Sequence, residues 1–143
     1  MKKNLTRIMV FGTFDILHPG HLNFFLQARG LAKNPYLIVS VARDVNVKRI
    51  KGRPTFHKEK VRLKEIKKIK LVDKAVLGGL TNHLPHILKE KPAILAIGYD
   101  QNNYLKNLKS DLKRRGLQVK VFRLKAFKPK IYKGSLLQGR RLS

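Results

Sequence analysis

The sequence predicts an α/β fold: one Rossmann-like, doubly wound domain with a five-stranded parallel sheet. Apolar runs typical of strands alternate with amphipathic helical segments along the 143 residues. The first run, residues 8–11, is continuously apolar, as expected of a central strand covered on both faces. No Gly/Ser/Pro-rich linker interrupts the pattern, so we expect a single domain over residues 1–143.

Each element follows from its local pattern. Strands are predicted over residues 8–11, 36–42, 74–77, 93–97 and 118–124. Helices are predicted from Pro19 or Gly20, and over residues 58–69, 84–89 and 105–115, with a basic loop over 48–56 and a short final helix after 133. Pro19 suits a first helical turn because its missing N–H would have no partner there.

Helical spacing also predicts which side chains face the core. In the first helix these are Leu22, Phe25 and Leu26. In the helix over residues 58–69, a broken apolar face is predicted among the lysines. Its members are Val61, Leu63, Ile66 and Ile69.

The composition excludes several classes of protein. There is no cysteine, which excludes disulfides, thiolate chemistry and cysteine-based zinc sites. No apolar run approaches the roughly 20 residues that cross a bilayer. The basic start leads into a strand and not into a leader peptide. We therefore expect a cytoplasmic protein with no membrane partner.

The charge is strongly basic, with 33 Lys and Arg residues against 8 Asp and Glu and a formal net charge of +25. Such an excess attracts polyanions, and weak association with nucleic acid is one interpretation. The lysines are spread through every segment, and no zinc-finger spacing or RNA-recognition signature accompanies them. The dispersal favours a solvated basic surface.

The strongest functional signal is residues 12–21, GTFDILHPGH, where the first strand leads into the first helix. The free N–H groups and dipole of a helix start attract phosphate, and Gly12 and Gly20 allow its close approach. His18 and His21 add donors and, when protonated, positive charge for a reacting phosphate. An isolated histidine at a helix start is usually a surface residue. Two histidines with two glycines at this strand-to-helix junction predict a nucleotide phosphate site.

The pattern G-T-F-D-x-x-H-x-G-H resembles the signature of cytidylyltransferase-like nucleotidyltransferases. Residues 14–21 are similar to the branch of archaeal-type FAD synthetases and glycerol-3-phosphate cytidylyltransferases. The resemblance implies an enzyme that transfers a nucleoside monophosphate from a nucleoside triphosphate to a phosphate ester and releases pyrophosphate. It also implies Mg²⁺ with ATP as substrate, CTP as the alternative nucleotide, and a homodimer.

The resemblance implies roles for individual residues. His18 and His21 would hold the α- and β-phosphates in the transition state, while Lys51 and Arg62 would neutralise pyrophosphate or acceptor as further catalytic groups. The residues expected to contact the nucleotide are Gly12, Thr13, Phe14, Gly20, Gly98, Asp100, Lys133, Gly134 and Ser135. Those expected to contact the acceptor are Asp15, Arg43, Asp44 and Lys48. No protein ligand for a metal is expected.

One motif departs from its relatives, which have a Ser/Thr pair, a basic residue and Ile at the start of the final helix. Here Gly134 stands in place of the first hydroxyl residue and Leu136 in place of the basic residue. Either Gly134 contributes only its N–H while Lys133 or Arg140 substitutes, or nucleotide binding is weaker.

Similarity in residues 42–44 and 98–101 favours FMN and ATP as substrates, giving FAD. No activated nucleophile is visible, so we expect direct in-line attack by the acceptor phosphate, without a covalent enzyme intermediate. Two alternatives stay open. One is a glycerol-3-phosphate cytidylyltransferase, and the other is a non-catalytic basic module that binds nucleotide or RNA.

Overall fold

The computed structural model describes residues 4–98 and 105–126. Five parallel strands form one sheet in the order β3-β2-β1-β4-β5. The strands are β1 (Thr6–Gly12), β2 (Pro35–Val41), β3 (Lys74–Leu77), β4 (Ile94–Ile97) and β5 (Lys120–Arg123). The helices are α1 (Pro19–Arg29), α2 (Asp44–Lys51), α3 (Glu59–Lys67), α4 (Leu84–Glu90) and α5 (Leu105–Arg114).

The core lies on both faces of the sheet. Successive residues of β1 point to opposite faces, so Ile8 and Val10 join one apolar cluster while Met9 and Phe11 join the other. Helices α1 and α3 cover the first cluster, and α4 and α5 cover the second. The predicted five-stranded, doubly wound α/β architecture is thereby confirmed.

The strand order reverses at β1, which lies between β2 and β4. In parallel sheets of this kind, ligands bind beyond the carboxyl ends of the strands at such a reversal. The loop that follows β1 holds the histidine motif. The fold therefore brings the predicted phosphate site to the expected edge.

One element differs from the sequence prediction. Residues 48–51 of the expected basic loop are the last four residues of helix α2. Asp44 in its first turn and basic residues in its last turn complement the helix dipole. Gly52 ends it in a left-handed conformation at φ +76°. Val47 is the buried residue of the helix. Longer helices are predicted from several core-facing apolar residues at helical spacing, and α2 buries too few to give that pattern.

The predicted core faces of two helices are partly wrong. In α1, Phe25 and Ala28 are buried, whereas Leu22 and Leu26 are exposed. In α3, Val61 is exposed and the neighbouring Arg62 is buried. Helical spacing gives candidate faces, but the contact with the sheet decides which of two adjacent faces is covered.

No helix in residues 4–98 or 105–126 combines the length and apolarity needed to span a membrane. The predicted helix after residue 133 lies outside the described residues.

Candidate active site

The two histidines of the motif form the start of α1. His18 precedes the first helical residue, and its Nδ1 accepts the Gly20 N–H at 3.1 Å. The Nδ1 of His21 accepts the His18 N–H at 3.3 Å. The two rings stack with their centroids 3.9 Å apart and their planes 23° apart. The sequence therefore uses histidines to cap this helix.

These hydrogen bonds determine the tautomer of both rings. A neutral imidazole has one N–H, and a nitrogen that accepts a hydrogen bond cannot carry it. In both His18 and His21 the proton must then lie on Nε2, the ring atom opposite the helix cap. In each ring the N–H therefore lies on the atom that takes no part in the cap of α1.

Both rings favour the neutral form. Burial lowers the pKa of His21 to about 4, with the adjacent His18 as a second cause, and burial also lowers the pKa of His18. The expectation that protonated histidines supply positive charge to a reacting phosphate stays a prediction. Burial and the helix cap both favour the uncharged rings near neutral pH, because protonation at Nδ1 would break the cap.

Phe14 packs against His21, and Gly12 leaves the space that the Phe14 ring occupies. A Cβ atom at Gly12 would lie 2.5 Å from the Phe14 ring, so glycine is required for Phe14 to pack here. Phe14 is buried with left-handed backbone at φ +52°, and its ring meets the His21 ring edge-on at 5.3 Å. The predicted contact of Phe14 with nucleotide stays a prediction; in this structure the ring packs in the core against His21.

Asp15 joins the histidine loop to the loop before α3. Its carboxylate accepts the N–H groups of Phe56 at 2.6 Å and His57 at 2.7 Å. Burial alone would raise the pKa of Asp15, but these two hydrogen bonds outweigh it and lower the pKa. Asp15, predicted to touch the acceptor, here holds the loop of residues 52–58 in place.

Arg62 is buried, with 1% of its surface exposed, and connects three segments. It donates to the Thr13 carbonyl at 2.9 Å, the His57 carbonyl at 3.0 Å and the Asp44 carboxylate at 2.6 Å. The role of Arg62 in neutralising pyrophosphate or acceptor stays a prediction. In this structure its enclosed guanidinium holds the three segments together.

Helices α2 and α3 cap each other. The Glu59 carboxylate accepts the Asp44 N–H at 2.7 Å, and the Asp44 carboxylate accepts the Glu59 N–H at 3.0 Å. Burial raises the pKa of Asp44, but the Glu59 N–H and the Arg62 guanidinium lower it further than burial raises it. Each carboxylate satisfies the first N–H of the other helix.

A Cytidylyltransferase-like family model matches residues 9–138. The chain belongs to this family. The FAD synthase of Methanothrix thermoacetophila is 41% identical over 129 residues, which cover 90% of this chain and 87% of that protein. The FAD synthase of Archaeoglobus profundus is 43% identical over 122 residues, covering 85% of this chain and 76% of that protein.

A solved structure is also similar to this cytidylyltransferase-like chain. It is titled as the lipopolysaccharide core biosynthesis protein from Thermoplasma volcanium GSS1. The two share a TM-score of 0.78 and 34% identity, with 86% of this chain and 98% of the other covered. The family and the fold predicted from the motif are thus confirmed.

The remaining residues predicted to contact substrate in this cytidylyltransferase-like protein lie in several parts of the structure. Lys48 and Lys51 are exposed on the last turn of α2. Arg43 donates to Glu59 at 3.2 Å and to the Gly78 carbonyl at 3.3 Å, so its guanidinium braces the ends of β2 and β3. Gly98 directly follows β4 at the same edge of the sheet. Asp100, Lys133, Gly134 and Ser135, with Leu136 and Arg140, lie outside the described residues.

Sequence reasoning missed several residues of this region. Phe56 and Glu59 had no motif to mark them, although an aromatic residue within a basic segment was a usable signal. A second histidine pair, His83 and His86, lies against Phe11 on the other face of the sheet. His86 Nε2 and the Ser40 hydroxyl are 2.9 Å apart. Burial, with His83 as a second cause, lowers the pKa of His86 to about 4.

Proposed function

We propose that the protein is an FMN adenylyltransferase that makes FAD. A phosphate oxygen of FMN attacks the α-phosphorus of ATP in line with the bond to the β-phosphate. The new P–O bond forms as that bond breaks, and pyrophosphate takes the electron pair. The products are FAD and pyrophosphate.

The observation that carries this proposal is similarity to the FAD synthases, at 41% and 43% identity over most of the chain. The geometry of the histidine motif supports the chemistry. Two N–H donors held at a helix start suit the negative charge that develops on a reacting phosphate. The similarity favours FMN with ATP over glycerol 3-phosphate with CTP.

We assign the chemical roles as follows. The Nε2–H groups of His18 and His21 stabilise the α- and β-phosphates in the transition state. The ammonium groups of Lys48 and Lys51 attract the phosphates of ATP and FMN. Arg62 and Asp44 act as positioning residues, because their hydrogen bonds keep the three loops together. Gly12, Thr13 and Gly20 are proposed to contact the triphosphate.

Mg²⁺ belongs to the substrate in this proposal. Within the described residues, no group of three His, Asp or Glu side chains could hold a metal ion. Asp15 and Asp44 are already hydrogen-bonded to protein groups. Magnesium commonly binds through phosphates and waters with few protein ligands, so it would enter with ATP and neutralise the pyrophosphate that leaves.

We also propose a single catalytic domain over residues 1–143 that acts as a cytoplasmic homodimer. The one continuous sheet supports the single domain. The homodimer rests on the family resemblance, and the proposed location rests on the composition of the sequence. Light scattering on the purified protein measures the oligomeric state directly.

Weak polyanion association is a secondary property that we propose for the surface. All seven acidic side chains of the described residues accept a hydrogen bond from a basic side chain or a backbone N–H of the protein. With 33 basic residues against 8 acidic ones, most of the positive charge is not neutralised by acidic side chains. Such binding would weaken as salt is added.

The test is a product assay with three substrate sets. We expect FAD and an equal amount of pyrophosphate from ATP, FMN and Mg²⁺, and none from ATP without acceptor. Formation of CDP-glycerol from CTP and glycerol 3-phosphate, without FAD, would select the cytidylyltransferase alternative. Triphosphate binding in calorimetry with no product from either pair would select the non-catalytic module.

A further inference from the structure

Phe56 is the most exposed large hydrophobic side chain in the described residues, with 77% of its surface exposed. Val45, with 58% exposed, lies near it beside a shared cavity. Single exposed apolar residues are ordinary, but an aromatic ring with apolar neighbours at a cavity often marks a ligand site.

The exposed ring is held on a rigid backbone. Asp15 accepts the N–H groups of Phe56 and His57, while the His57 carbonyl accepts from Arg62 and from the Thr55 hydroxyl. The His57 ring packs edge-on against the Phe56 ring at a centroid distance of 4.9 Å. A ring presented in this way loses little conformational freedom when a ligand covers it.

The adjoining cavity has a volume of about 260 Å³. Val45, Pro54 and Phe56 form its apolar walls. Lys48 and Lys58 lie at the same cavity, and neither has an ion-pair partner among the described residues. Apolar walls with two ammonium groups suit a flat ring system that carries a phosphate.

Two short paths of hydrogen bonds connect the cavity to the histidine motif. Asp15 of the motif binds the Phe56 N–H, and Asp44 of the cavity wall binds Arg62, which binds the Thr13 carbonyl. A ligand here would lie next to the loop that carries His18. This arrangement suits the acceptor, whose phosphate has to reach the nucleotide.

We infer that this cavity binds the isoalloxazine ring of FMN, with one ring face stacked on Phe56 and Lys48 and Lys58 beside its phosphate arm. The inference rests on the proposed function and specifies how the acceptor is recognised. Glycerol 3-phosphate has no ring to stack on Phe56. An exposed aromatic platform therefore serves FMN selection and not phosphate binding in general.

The test compares Phe56→Ala, Phe56→Trp and the control Phe122→Ala, which removes a partly exposed phenylalanine from strand β5. Loss of one aromatic stack predicts a rise in KM for FMN of about ten- to hundredfold in Phe56→Ala. We expect kcat and KM for ATP to stay within about twofold. Phe56→Trp restores KM for FMN, and Phe122→Ala leaves all three constants unchanged.

A second measurement does not depend on turnover. Binding to the protein slows the rotation of FMN and raises the anisotropy of its fluorescence. Titration of the wild-type protein into FMN should therefore raise the anisotropy, and Phe56→Ala should need a much higher protein concentration for the same rise. An unchanged KM for FMN in Phe56→Ala, or an effect on ATP instead, overturns the inference. A wild-type protein that binds FMN in this titration but forms no FAD overturns the proposed function and leaves the flavin site standing.

Discussion

At the residue scale, His18 and His21 each use their two ring nitrogens for different tasks. Nδ1 accepts a backbone N–H at the start of α1, which leaves the proton on Nε2. Structure and chemistry are thus combined in one side chain. A serine or aspartate would cap the helix equally well but would place no N–H at the Nε2 position.

Substitution of His18 by asparagine separates the two tasks. The asparagine oxygen can still accept the Gly20 N–H, whereas the Nε2 donor is lost. We expect kcat for FAD formation to fall by about 10²- to 10³-fold, as for removal of one transition-state donor, with little change in stability. Steady-state kinetics and urea unfolding measure the two effects.

The matched control is His18→Ala, which removes both tasks. It should lose activity to the same extent and also about 1 kcal/mol of stability through loss of the cap. Wild-type kcat in His18→Asn would contradict the assigned role of Nε2.

At the element scale, α2 and α3 are coupled through their first residues. Asp44 and Glu59 exchange hydrogen bonds with each other's backbone, and Arg62 ties this pair to the histidine loop. Neither helix is long, at 8 and 9 residues. Helices this short are marginal alone, so their caps and tertiary contacts hold them in place.

The reciprocal cap predicts different effects for two glutamates on the same helix. Glu59→Ala should lower the free energy of unfolding by about 1 to 2 kcal/mol, because it removes the α2 cap and the partner of Arg43. Glu65→Ala is the control, since Glu65 pairs with Lys68 on the surface. Its effect should be within about 0.5 kcal/mol. Equal losses in urea unfolding would refute the reciprocal cap.

At the scale of the whole molecule, two pairs of partly buried histidines lie on opposite faces of the sheet. Burial lowers the pKa of all four below the ordinary value of 6.5, and the pKa values of His21 and His86 fall to about 4. The folded protein therefore takes up their protons at lower pH than the unfolded chain. Acid adds positive charge to a chain that already carries +25.

The sign of the pH dependence follows from this difference. Between about pH 6.5 and pH 4 the unfolded state binds more protons, so the free energy of unfolding falls as the pH falls. Above pH 7 the contribution of these histidines to the slope becomes small, because both states are then largely unprotonated. We expect the urea midpoint to change little from pH 7 to 8 and to drop steadily from pH 6.5 to 4.5.

The variant His86→Gln tests the source of that slope. Glutamine can still pair with the Ser40 hydroxyl but cannot be protonated in this range. Its urea midpoint should fall less steeply with acid than that of the wild type. If both slopes are equal, His86 is not part of the acid response.

The local elements could be predicted because their signals are local. The apolar run of β1, Pro19 at the helix start and the glycine turns each act within a few residues. The bounds of β3 match the prediction residue for residue. Helix α2 was missed because one buried valine in eight residues leaves almost no apolar period.

By itself, the sequence determined the alternating α/β architecture, the position of the histidine loop between β1 and α1, and the family. Only the tertiary structure decided what the charged and aromatic side chains around that loop do. Arg62 reaches Thr13 across 49 positions, and Asp15 reaches Phe56 across 41. A hydrogen bond requires its partners within about 3 Å, and which distant segments come that close is set by packing against the sheet. Arg62 therefore positions the loops from inside the protein, and Phe56 faces solvent beside the cavity.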